Sequence, residues 1–230
     1  MIPGFLLMSI APTLSWQTNK IKNSKKFALG FIFLSILVLI QSFFLDFNTW
    51  GFVGLLLGLW IMVASIIAIF SSYKVRFTIK FFQIINPHIA HIGVGIAIVG
   101  ITCSSVFQNE LDFNLNQGDE FEVNGKTVLF EEIETTNQTN FQALRGKFLF
   151  NIEKKQPKKI EAGKNYYPVS KMITSEAGIL HQWNRDIYFI LGDQKDNEWF
   201  VKVLINPFVS FIWLGVLIMV FSGLIGVTRR

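Results

Sequence analysis

Cysteine is nearly absent from this 230-residue chain. Cys103 stands alone, which excludes an intrachain disulfide and any Cys-x-x-Cys redox or metal pair. Charge is scarce as well: 16% of residues are Asp, Glu, Lys or Arg, against about 25% in an ordinary soluble domain. Histidine occurs three times. The chain has no Gly-x-Ser-x-Gly nucleophile elbow, no phosphate-binding Gly-rich loop and no His-Glu-x-x-His zinc helix, so the usual soluble hydrolase, nucleotide and metalloprotease classes lose their support. Internal repeats and low-complexity tracts are also missing.

What is present is apolar. Hydrophobic residues make up 51% of the chain and 24 are Phe, a composition of membrane proteins. Crossing a hydrocarbon core of about 30 Å takes about 20 apolar residues. Four runs meet that need: Phe27 to Leu45, Gly51 to Phe70, Ile84 to Phe107 and Ile205 to Val227. A fifth stretch, Ile2 to Trp16, contains Pro3 and Pro12 and is read as a partial or re-entrant segment, because it lacks the basic start and small-residue cleavage site of a signal peptide.

The net charge of +5 resolves into topology. Lys20, Lys22, Lys25 and Lys26 precede the first run, Lys74, Arg76 and Lys80 follow the second, and Arg229 and Arg230 follow the last. If the four helices alternate, all nine bases fall on one side, which the positive-inside rule makes the inner one. The segment from Gln108 to Lys202 then lies outside, with 12 bases and 15 acids. No basic stripe suited to nucleic acid survives this sorting.

That outer segment reads as short strands at Leu111 to Asn116, Glu120 to Val123, Lys126 to Ile133, Phe141 to Ile152, Ile187 to Leu191 and Trp199 to Leu204. Asn124-Gly125 marks a type I′ hairpin, since both residues tolerate positive φ. The Lys154 to Lys159 stretch around Pro157 reads as a solvated turn. The expected fold class is therefore a membrane α-helical protein, with four transmembrane helices and a partial one, carrying an extracytoplasmic all-β sandwich or barrel. Its parts are residues 1–107, 108–202 and 203–230.

Two of the three histidines fall within an apolar run. In Asn86-Pro87-His88-Ile89-Ala90-His91 the imidazoles are three residues apart and share a helix face. An ionisable group in the bilayer must find a partner, and neutral imidazole suits haem iron. His91, deeper in the helix than His88, is the candidate ligand; the alternative is a hydrogen bond to a neighbouring helix, and for His88 that alternative is the favoured reading. Gly93, Gly95, Ala97 and Gly100 follow, and Gly54 and Gly58 form a small-xxx-small pair; either a porphyrin or another helix can approach such faces. His181, near Trp183, reads as a surface or loop histidine. Glu131 and Glu132, adjacent on a strand, point to opposite faces and read as solvated. Asn137-Gln138-Thr139 fits the glycosylation sequon, which has meaning in a secretory compartment alone.

Several motifs, in order, resemble a known family. Pro3-Gly4 through Ala11-Pro12-Thr13-Leu14-Ser15-Trp16 is followed by Ala90-His91-Ile92-Gly93-Val94 and Gly100-Ile101-Thr102 with Ser104-Ser105. Gly118-Asp119, Phe130-Glu131, Tyr167-Pro168, Thr174-Ser175-Glu176-Ala177, Arg185-Asp186-Ile187-Tyr188, Leu191-Gly192, Pro207-Phe208 and Trp213-Leu214-Gly215 complete the series. Together they resemble the C-terminal portion of the CcmF haem lyases of cytochrome c maturation, the System I pathway.

The resemblance implies an integral membrane enzyme that takes haem from a haem-carrying chaperone and joins its vinyl groups to the two thiols of an apocytochrome c. It implies a b-type haem held between two transmembrane histidines, one of them at His91; His88 and His181 match no ligand of the family. No catalytic residue is assigned. The family's Trp-rich haem-handling segment, its two flanking outer-face histidines and the second transmembrane histidine have no counterpart here, so the resemblance implies a separately encoded C-terminal half. Its partners would be other maturation subunits, including the N-terminal part of the haem lyase, along with the chaperone, apocytochrome c and the lipid bilayer. Lys outnumbers Arg 16 to 5, as in AT-rich organellar coding, which suggests the mitochondrial inner membrane with the β-domain in the intermembrane space; the bacterial inner membrane with a periplasmic β-domain is the alternative. A non-catalytic membrane scaffold and a membrane-anchored sensor with a ligand-binding β-domain are the rival readings.

Overall fold

The structure, a computed structural model, describes residues 24–45, 49–71, 79–152 and 156–227. The Ile2 to Trp16 stretch and most of the basic loop residues lie outside them. Two compact units emerge: the helical stretches up to Phe107 and from Pro207 onward, and Gln108–Asn206 between them.

The helical unit contains α1 (Ser24–Leu45), α2 (Thr49–Ser71), α3 (Ile79–Val106) and α4 (Val209–Val227). Among the described residues, three helical stretches are long and apolar enough to cross a bilayer, namely Thr49–Phe70, Ile85–Val106 and Val209–Val227. The sequence leads to four. α1 is a helix of 22 residues, about 33 Å at 1.5 Å per residue, and its described apolar part is Ala28–Ile40. The last span also begins later than the apolar run suggests. Ile205 to Pro207 continue a strand, and Phe208, at φ 59°, separates it from α4.

α3 is the central helix, packed on one side by α2 and on the other by α4. Leu34 and Val38 of α1, Leu55, Trp60 and Ala64 of α2 and Cys103 of α3 form the buried cluster, with Phe31 edge-on to Trp60 at 5.0 Å. The outer faces of α1 and α4 expose Phe33, Ile36, Trp213, Leu217, Phe221 and Leu224. Helices apolar on every side are suited to a lipid solvent.

The second unit is a two-sheet antiparallel β-sandwich. One sheet orders its strands β1 (Asn109–Leu115), β9 (Glu198–Pro207), β8 (Arg185–Lys195) and β7 (Gly178–His181). The other orders β2 (Glu120–Val123), β3 (Lys126–Asn137), β4 (Gln142–Phe150), β5 (Lys158–Tyr167) and β6 (Met172–Glu176). Alternate residues point inward: Phe148 and Phe150 on β4, Ile187, Phe189 and Leu191 on β8, Val201, Val203 and Ile205 on β9. Phe148 stacks on Phe130 of its own sheet at 5.0 Å and reaches Phe189 of the opposite sheet at 5.3 Å. This aromatic chain joins the two layers, as offset aromatic pairs do in cores.

The hairpin at Asn124-Gly125 is present, with φ of 53° and 70° and Val123 paired to Lys126. A second hairpin of the same kind joins β8 to β9 through Asp196 and Asn197, at φ 52° and 70°. Among the described residues nine strands stand where the sequence suggests six. Lys158 and Lys159 open β5 and so are not turn residues; Lys154 lies outside the described residues. Glu131 and Glu132 do not alternate, because the pairing of β3 with β4 slips between Phe130 and Glu132 and the bulge leaves both carboxylates exposed.

Candidate functional site

The candidate intramembrane site lies on α3, one turn beyond Pro87. Proline has no N–H, so the Gln83 carbonyl loses its helical donor there. At the same level α3 is tied to α4: Asn86 Nδ2 donates to the Ser222 carbonyl at 2.8 Å, and the Ser222 hydroxyl lies 2.7 Å from the Asn86 carbonyl and 3.0 Å from its Oδ1. A helical period of 100° per residue places Asn86, Gly93 and Gly100 on this α4 face. His88, His91 and Gly95 fall on the other side.

Close helix contact accounts for the small residues. A methyl group added at Gly93 would lie 2.7 Å from the Gly215 carbonyl oxygen of α4, and one at Gly100 would meet the Ile212 nitrogen at 2.8 Å. Gly95 stands against Gly58 and Met62 of α2, and Gly54 against Thr102. Both of the glycine patterns in the sequence are therefore occupied by neighbouring helices.

The two imidazoles are not accounted for in this way. Their ring centroids lie 6.4 Å apart. Nδ1 of His88 and Nδ1 of His91 are both buried without a hydrogen-bond partner, although buried polar atoms are nearly always paired. His88 is the more enclosed, at 8% exposed, whereas the sequence reading takes His91 as the deeper of the two. An unpartnered imidazole nitrogen in an apolar helix pair fits a haem group, which would satisfy it as an axial ligand of the iron or as a hydrogen-bond donor to a haem carboxylate.

A second cluster lies in the sandwich. β7 and β8 pair with His181 opposite Asp186, and Gln182 N bonds the Arg185 carbonyl at 2.9 Å across the turn. His181 Nδ1 stands 3.0 Å from Asp186 Oδ2, with the imidazole side chain 72% exposed and the carboxylate side chain 7% exposed. Trp183, at the turn, is 79% exposed. The phenol of Tyr188, next but one along β8, is pushed up by burial and by the Asp186 charge. The sequence reading places His181 on the surface, and it is there; the Asp186 partner was missed. Its signal is the spacing of a hairpin that sets residues five apart face to face.

Other charged groups are structural. Arg145 Nη2 donates to Asn165 Oδ1 at 2.7 Å and to Glu176 Oε2 at 2.6 Å, and Asn165 Nδ2 donates to Glu176 Oε1 at 2.5 Å, which ties β4, β5 and β6 together. Lys147 bridges Glu132 at 2.8 Å and Glu134 at 2.7 Å. The hydrogen bonds to Glu132 and Glu134 hold the Lys147 ammonium above its ordinary range, and that to Lys147 holds Glu132 below its own. Among the described residues no cluster of three His, Cys, Asp or Glu can hold a bare metal ion.

The family described as "CcmF C-terminal beta-sandwich" matches residues 106–207. The chain is 28% identical over 240 residues to the cytochrome c-type biogenesis protein CcmF of Haemophilus influenzae, covering 98% of this chain and 36% of that protein. The Escherichia coli protein of the same name is 27% identical over 233 residues, with 98% and 35% covered. Over nearly its whole length this chain is similar to part of the CcmF proteins, and its residues 106–207 match their C-terminal sandwich. The Rhodobacter capsulatus biogenesis protein ccl1 is 34% identical over 142 residues, 61% of this chain and 22% of that one. A solved structure, the cytochrome c heme lyase CcmF, matches with a TM-score of 0.78 at 14% identity, over 97% of this chain and 38% of that chain; at that identity the likeness speaks for the fold. The chain spans about a third of the length of these CcmF proteins.

Proposed function

We propose that this chain is a subunit of a cytochrome c haem lyase in a membrane, in which His91 holds the iron of a b-type haem and another chain supplies the second histidine. The observation that carries the reading is the pair of buried imidazoles, His88 and His91, whose Nδ1 atoms both lack a partner, in a chain similar to part of the CcmF proteins; the Ala90-His91-Ile92-Gly93-Val94 motif selects His91 of the two. When bound, haem supplies an iron whose potential its axial ligands set. The chain's own contribution is positional. Asn86 and Ser222 fix α3 against α4, the Gly58 and Gly95 contact fixes it against α2, and the imidazoles are thereby kept in a dry layer. Four spans in all, with the described part of α1 as the core of one, complete the helical unit in this reading. The sandwich faces the compartment opposite the nine bases, where apocytochrome c and other maturation subunits would dock. Lys-rich, Phe-rich coding favours the mitochondrial inner membrane, and the bacterial inner membrane remains the alternative. The thioether chemistry belongs to thiols of the substrate, since Cys103 is buried within the helical unit.

The test is the native haem content of the complex purified with this chain. His91→Ala should abolish the b-type Soret band, and His88→Ala should leave most of it. An unchanged spectrum in His91→Ala removes the ligand assignment, and a complex with no haem at all favours a scaffold role.

A further inference from the structure

We propose that the β-sandwich rests one end on the membrane, with Trp183 set among phospholipid headgroups and Lys126, Lys158 and Arg185 drawing anionic lipids to that end. This surface is separate from the histidines of α3 and does not depend on haem.

Strand direction gathers these residues. β1 follows α3 at Asn109 and β9 reaches α4 at Pro207, and Asn109 lies opposite Ile205, so both chain connections leave the sandwich at one end. The hairpin at Asp196 and Asn197 turns β8 back into β9, which brings Arg185, the first residue of β8, to the same end as Pro207. β7 sets His181 opposite Asp186, so the turn that carries Trp183 lies there as well. The second sheet also ends here, because Lys126 and Lys158 share a groove with Gln182 and Trp183. The apolar helices stop at Val106 and resume at Val209, so this end is a few residues of chain from the lipid surface.

Charge then selects the occupant. In the body of the sandwich Arg145, Lys147, Lys164 and Lys202 are each paired with carboxylates. Among the described residues no carboxylate pairs with Lys126, Lys158 or Arg185, and both lysines are exposed. The acids of this end are Glu122, one pair in from the Asn124-Gly125 turn, and Asp186, which is buried against His181. The end is thus basic, although acids outnumber bases in the segment as a whole. Bases beside a membrane span are attracted to anionic headgroups, and the amphipathic indole ring settles at headgroup level. Trp183 is 79% exposed. Lipid is the occupant that the two stems themselves bring to this end.

The full chain reconstituted into vesicles tests this, with lipids brominated close to the headgroup as quenchers of tryptophan emission. The vesicles are phosphatidylcholine alone or mixed with phosphatidylglycerol. The difference in emission between wild type and Trp183→Phe reports Trp183. That difference should be quenched in the mixed vesicles, less so in phosphatidylcholine alone, and less again as salt is raised. Lys126→Gln, Lys158→Gln and Arg185→Gln should each lower the equilibrium constant for the lipid-bound state about fivefold. Lys171→Gln, at the opposite end of β5 from Lys158, should leave it unchanged. Far-UV circular dichroism checks that each variant keeps its strands. Trp183 unquenched in mixed vesicles, equal quenching with and without phosphatidylglycerol, or a loss in Lys171→Gln as large as at the three bases overturns the proposal. These failures leave the haem content and its dependence on His91 untouched.

Discussion

Gly58 and Gly95 face each other so closely that each forbids a side chain on the other: a Cβ at Gly95 would lie 2.7 Å from the Gly58 carbonyl oxygen, and one at Gly58 would lie 3.0 Å from that of Gly95. Gly95→Ala should therefore destabilise the helical unit by about 1–3 kcal/mol through overpacking, despite alanine's better helix propensity. Gly223→Ala, where nothing lies within 4 Å of the added carbon, should be neutral or stabilising by up to about 1 kcal/mol. Thermal denaturation in detergent distinguishes the two, and equal melting temperatures would count against the close contact of α2 and α3.

Asn86 and Ser222 form a polar tie inside an otherwise apolar layer. Ser222→Ala removes the hydroxyl but keeps the Asn86 amide on the 222 carbonyl, so the cost should be about 0.6–1.7 kcal/mol, the range for interhelical hydrogen bonds in membranes. Asn86→Leu removes the side-chain partner of both helices and should cost more. Resistance to denaturing detergent should fall in the order wild type, Ser222→Ala, Asn86→Leu.

Phe148 touches rings from both sheets and is fully buried. Phe148→Ala should cost about 3–5 kcal/mol, with loss of β-sheet signal at 37 °C. Phe148→Leu should retain the sheet signal with a lowered melting temperature. A sandwich as stable with alanine as with phenylalanine would show that this contact between layers is not what holds it.

The Glu132 and Lys147 pair predicts a pH dependence. Glu132 is held below its ordinary value of 4.5 by Lys147, so its contribution is complete above 4.5 and is lost as pH falls through the lowered folded value. Lys147 is held above 10.5, so its contribution is complete below 10.5 and is lost as pH rises beyond it. The stability difference between wild type and Lys147→Met should thus be flat across neutral pH and shrink in acid. A difference that grows on acidification contradicts the pairing.

Strong patterns were legible in the sequence and weak ones were not. Phe148 and Val203 alternate with half-buried neighbours, and Ile187, Phe189 and Leu191 recur at every second position, so the strands that hold them were readable. β5 was hidden because its buried positions include Ala162, Gly163 and Asn165, a set with little hydrophobic contrast. Asn165 is buried at no evident cost because Arg145 and Glu176 satisfy its amide, and such partners lie 20 and 11 residues away. The edge strand β6 buries none of its five residues, and β7 alternates over four residues with a glycine at its first buried position, so neither shows a hydrophobic period in the sequence. At the intramembrane site the histidines were conspicuous by type, whereas their lack of partners is a fact of three dimensions. The His181 and Asp186 pair needed the hairpin register, which the turn Gln182-Trp183-Asn184-Arg185 does not announce by any glycine.

One pairing has a bearing on how such a chain assembles. β1 and β9 lie side by side from Asn109 with Ile205 to Leu115 with Trp199, so the first and last residues of the sandwich are neighbours. About a hundred residues separate α3 from α4 along the chain, a loop whose closure entropy grows with the logarithm of its length. Once the sandwich has formed, that long connection is replaced by two adjacent stems. The chain behaves as though a short hairpin loop linked the two helices, with a folded module threaded onto it, and lengthening or exchanging the module at its far turns leaves the closure of α3 onto α4 unaltered.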